Sequence, residues 1–159
     1  MKSGVLIAAT AVFFVLQPGI ATADDGDATE RAHQEMREAL GKVPSFIEAY
    51  PPHLQAPAWD WVKGFGSPDA ELPVKYRELI AVAVAAQIPC DYCVYAHVSW
   101  AEMAGASQEE ISEALAMAGY IRHWSTVLNG LQMDREEFKE EFDGILAHRQ
   151  EAQATERTE

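Results

Sequence analysis

Two thiols and an imidazole fall within one short run, Cys90-Asp91-Tyr92-Cys93-Val94-Tyr95-Ala96-His97. On a helix, residues three and four apart share a face, so Cys90, Cys93 and His97 line up along one side. Sulfurs at that spacing close a disulfide with little backbone movement, and an imidazole one turn beyond Cys93 can take a proton from a thiol. Placing Cys90 in the first turn adds the partial positive charge and unpaired N–H groups of a helix N-terminus, which favour the reactive thiolate. Glu78 stands twelve residues before Cys90. It completes a candidate proton relay if its helix packs antiparallel on the thiol helix across Pro89.

Other chemistries compete for the same side chains. Cys90, Cys93, His97 and Glu78 are all ligand types that zinc accepts, so a metal- or small-molecule-binding module is the rival expectation. An inert disulfide is a third, although a bridge across so small a loop removes little entropy from the unfolded chain. Covalent haem attachment is excluded by motif, because Val94 stands where Cys-x-x-Cys-His needs its histidine. His123, beside Trp124, reads better as a structural histidine than as a further member of the site.

The elements that must position these groups read as helices. Residues 73–87 carry Glu78 within an Ala- and Val-rich stretch; 80–86 alone suits a buried strand, but the alanines and the Lys75-Tyr76-Arg77-Glu78 lead-in favour helix. A strand there would instead suit a thioredoxin-like reductase. Pro89 breaks the chain, and a second helix opens at Cys90 and ends at Gly105. Asp27-x-x-Glu30, Ser107-x-x-Glu110 and Asp134-x-x-Glu137 are capping-box patterns that predict three more helix starts. Gly119 interrupts the apolar segment after Ser107 and predicts a break or a close helix contact. Pro57 is expected to start a short helix carrying Trp59, Trp61, Val62 and Phe65, residues of a core or an oligomer interface. From His148 onward the chain is polar and is expected to fray.

The 159 residues suffice for one domain with a real core. Residues 1–23 read as a signal peptide: Lys2, an apolar run from Gly4 to Leu16, then Ala21-Thr22-Ala23 as a cleavage site. The run is short for a membrane span, so no stable membrane insertion is expected after cleavage. The organisation is then a leader over 1–23, a single compact helical domain over 24–149 and a polar tail over 150–159, in a secreted or periplasmic protein. With 25 acidic against 12 basic residues and a formal charge of −13, the surface repels phosphate backbones, which argues against nucleic-acid binding.

Glu78, then Cys90-x-x-Cys93-x-x-x-His97, resembles the alkylhydroperoxidase D-like branch of the carboxymuconolactone decarboxylase superfamily, over roughly 57–131. The resemblance implies an all-α fold, assembly into trimers or hexamers, and peroxidase or disulfide-reductase chemistry that needs no cofactor. By it, Cys93 is the attacking thiol, Cys90 the resolving one, and His97 with Glu78 the relay. A hydroperoxide or disulfide would be the substrate and an external thiol the reductant. Helix position alone would nominate Cys90 as nucleophile instead. Tyr92 stands where the peroxidase prototype carries a relay histidine, and a phenol is a poor base near neutral pH. Lactone decarboxylation, a lyase reaction, is disfavoured because members named for it lack the dithiol.

Overall fold

The computed structural model describes residues 23–157, and every regular element among them is an α-helix. The expected leader lies outside the described residues, apart from Ala23. The helices form two compact units that divide between Asp69 and Ala70.

The first unit contains α1 (Ala23–Leu40), α2 (Ser45–Glu48) and α3 (Pro52–Gly66). Ala32 and Met36, one turn apart on α1, meet Ile47 and Trp59 in its core, and Met36 is wholly buried. Gly41 ends α1 in the left-handed region, φ +79°, where its N–H bonds Arg37 O. Two sequence expectations give way here. Asp27 does not cap α1 but lies within it, where its carboxylate pairs with Arg31 one turn on. Pro57 does not start α3; Pro52 occupies the first turn, where its missing N–H costs nothing, and Pro57 is carried inside the helix. Of the expected aromatic cluster only Trp59 is core, while Trp61, Val62 and Phe65 are exposed. Gln55 is buried but satisfied, its amide donating to Tyr50 O and its oxygen 2.7 Å from His33 Nε2. Glu35 accepts from Lys63 Nζ and from Trp59 Nε1–H, and these contacts hold its carboxyl below the usual range.

The second unit contains α4 (Val74–Gln87), α5 (Asp91–Met103), α6 (Gln108–Gly130) and α7 (Arg135–Glu156). Residues 80–86 are helical, as their alanines favour. Helices α4, α5 and α6 pack on one another around Val82 and Ala101, both wholly buried, and Ile111. Small side chains at the centre let the helices approach closely, which brings the thiol helix against the Glu78 helix. Gly105, φ +83°, closes the turn after α5, which stops at Met103 rather than Gly105. Ser107 and Glu110 form the expected reciprocal capping box. Glu110 also reaches Lys75 at 2.7 Å, bracing the start of α4 against the start of α6. Helix α6 runs unbroken through Gly119, whose Cβ position meets nothing within 4 Å, so neither a break nor a close contact explains this glycine. The polar residues after His148 are helical as far as Glu156, although no residue of α7 is buried. No helix among the described residues is long and apolar enough to cross a membrane.

Candidate active site

The loop between α4 and α5 is short, and Cys90 sits at its end as the N-cap of α5. Its backbone is extended, and its N–H returns to Ala85 O at 3.1 Å, which fastens the cap to the last turn of α4. Gln87 strengthens the same corner. Its amide donates to Ala118 O at 2.8 Å, and its side-chain oxygen accepts from Arg122 Nε at 2.8 Å. Both bonds tie the end of α4 to α6 immediately before the thiols. This positioning device was not visible in the sequence, because Gln87 and Arg122 lie 35 residues apart without a motif.

Cys90 and Cys93 are joined as a disulfide, with Cα atoms 5.3 Å apart. Cys90 Sγ also accepts the Cys93 backbone N–H at 3.2 Å. That sulfur therefore occupies the place where an N-capping oxygen usually lies, at the positive end of the helix. On reduction, the same N–H and helix end would stabilise negative charge on Cys90. Both sulfur-bearing residues are partly exposed.

His97 lies one turn beyond Cys93 on the same face of α5, and its Nδ1–H donates to Glu78 Oε2 at 2.7 Å. Glu78 is the more buried partner, with 21% of its side chain exposed against 38% for His97. A carboxylate on Nδ1 fixes the ring's orientation and tautomer, and leaves the Nε2 lone pair to receive a proton. The antiparallel packing of α4 on α5 thus joins Glu78 to His97, as the spacing predicts. The structure pairs Cys90 with Cys93 and His97 with Glu78, the latter pair joining α5 to α4.

Tyr92 stands outside this arrangement, 90% exposed between the two cysteines, and Tyr95 is exposed beside it. His123 packs edge-on to Trp124 with centroids 5.3 Å apart, exposed on α6. Among the described residues no three His, Cys, Asp or Glu side chains are placed to hold a metal ion. With both sulfurs bonded to each other, the four-ligand set weighed from sequence is not assembled in this oxidised form.

A model of the carboxymuconolactone decarboxylase family matches residues 54–136. An uncharacterised protein of Cupriavidus necator is 42% identical over 60 residues, 38% of this chain and 53% of that protein. Uncharacterised protein 4 of the cox locus in Paracoccus denitrificans is 41% identical over 54 residues, 34% of this chain and 49% of that protein. The chain thus spans about half the length of the curated relatives it matches. Among solved structures, the alkylhydroperoxidase AhpD core of Rhodospirillum rubrum has a similar fold. The TM-score is 0.61 at 24% identity, covering 70% of this chain and 86% of that one.

Proposed function

The chain belongs to the carboxymuconolactone decarboxylase family, and from that footing we propose that it is an exported thiol-dependent oxidoreductase whose Cys90–Cys93 pair reduces hydroperoxides or disulfides. The observation that carries this is the disulfide at the N-cap of α5, one turn from an imidazole that a carboxylate holds at 2.7 Å.

In the reduced enzyme, His97 Nε2 takes the Cys93 proton. The Cys93 thiolate attacks a peroxide oxygen, the O–O bond breaks, and the alkoxide leaves as an alcohol with the proton from His97. The Cys90 thiolate then attacks the Cys93 sulfenic acid, forming the disulfide and releasing hydroxide, which is protonated to water. With a disulfide substrate, Cys93 forms a mixed disulfide and expels one substrate thiolate; Cys90 expels the other. An external dithiol attacks Cys93, and Cys90 leaves as the thiolate that the Cys93 N–H and the helix end stabilise. The second sulfur of the dithiol then expels Cys93 as it closes its own disulfide. This division makes Cys93 the sulfur that forms intermediates and Cys90 the resolving and leaving group.

Disulfide exchange has more support than peroxide reduction, since Tyr92 faces solvent and adds no base to the relay. A lyase gives the paired thiols no role, and a metal-binding module would need them unbonded. Self-association, expected as a trimer or hexamer, draws support from the many large apolar side chains left exposed, Ile80, Ile88, Met117 and Ile121 among them. The direct test is turnover. Protein supplied with dithiol should reduce a model disulfide or consume a hydroperoxide, and equal activity in Cys93→Ser would overturn the mechanism.

A further inference from the structure

Helix α7 is capped and amphipathic, yet none of its side chains is buried. Phe138, Phe142, Ile145 and Leu146 recur at helical spacing along one side, between 38% and 53% exposed. The two phenylalanines stack on each other with centroids 5.8 Å apart. A helix in a protein takes most of its stability from burying such a stripe. Among the described residues, the rest of the second unit does not supply the cover. Leaving α6, the Leu131 and Met133 N–H groups bond Val127 O and Leu128 O, and Gln132 adopts a positive φ of 53°. Asp134 then accepts from the Glu136 and Glu137 N–H groups to start α7. The connection is held on a course along which no α7 side chain becomes buried.

The complementary surface lies between α4 and α6. A groove of about 500 Å³ has Ala83 and Ala118 along it and Val84, Ile88, Met117 and Ile121 on its walls. All four wall residues are more than half exposed. Arg122 stands at the groove, bonded to Gln87. Charge is complementary: Glu137 and Glu141 border one edge of the α7 stripe by helical spacing, whereas Lys139 and Asp143 on the other edge pair with each other at 2.7 Å.

We infer that α7 of one copy lies in the α4/α6 groove of a second copy, with Glu137 and Glu141 towards Arg122. Ile88 lines the groove two residues before Cys90, so the seated helix lies near the disulfide.

The inference rests on the self-association proposed above, and its test separates the two. Full-length protein carrying Phe142→p-benzoylphenylalanine is mixed with isotope-labelled chains, irradiated and mapped by mass spectrometry. Crosslinks between light and heavy chains, from 142 to 83–88 or 117–125, are expected. Sedimentation of Phe142→Glu and of Ile121→Glu should each show self-association weakened at least tenfold, on the order of 1.4 kcal/mol or more, with helical circular dichroism retained. Crosslinks confined to one chain, or oligomers that neither substitution weakens, would overturn the α7 assignment while leaving self-association standing. A monomeric unsubstituted protein would remove both.

Discussion

In the proposed reaction four side chains carry the chemistry, and each has a separable task. Cys93→Ser should lower turnover by at least about 100-fold, because the sulfur that forms the intermediate is gone. Cys90→Ser should instead trap a mixed disulfide on Cys93, visible as a mass increase of one substrate thiol. His97→Ala removes the base and should cost about 10²-fold in rate. Glu78→Gln keeps an acceptor for Nδ1–H but loses the carboxylate's charge, so a smaller loss, about tenfold, is expected in steady-state assays. Equal losses for Glu78→Gln and His97→Ala would show that the carboxylate does more than position the imidazole.

At the scale of elements, capping and bracing hold α4, α5 and α6 in the arrangement that joins Glu78 to His97. Ser107→Ala should cost about 1 kcal/mol in denaturant unfolding by removing the N-cap of α6. Glu110 lies below its usual carboxyl range because Lys75 donates to it, with further help from the Ser107 backbone, and Lys75 lies above its usual range because of Glu110. A lowered acid contributes stability above its unfolded value of 4.5 that is lost as pH falls through the folded value; a raised base contributes below 10.5 and loses it as pH rises further. The difference in melting temperature between the protein and Glu110→Gln should therefore be greatest near neutral pH and shrink below about pH 4.5. Much of this was legible in the sequence. The Cys90–His97 spacing and the Ser107 box are local signals, and each acts through its own turn of helix. Asp27 and Pro57 misled for one shared reason: a helix can begin upstream of a good cap or a tolerated proline, and the chain before each was already helical. Gln87 and Arg122 were illegible because their contact joins two helices, and no periodicity marks a single long-range pair.

For the whole molecule, the disulfide spans too few residues to be a major staple. Reduction should leave the helical circular dichroism unchanged and move the melting temperature by only a few degrees, about 5 °C at most. A large loss of structure on reduction would assign the bond to architecture. In the first unit, Met36→Ala should cost about 2–5 kcal/mol, since this side chain is wholly buried. The most direct test of the proposed redox centre is the equilibrium reduction potential of the Cys90–Cys93 pair, measured against glutathione buffers. Stabilisation of the Cys90 thiolate at the α5 N-terminus favours the dithiol, and a potential between about −270 and −120 mV, the span of exchange-active pairs, is the expected result. A value well below about −300 mV, with no exchange with glutathione, would contradict it and make the bond an inert structural link.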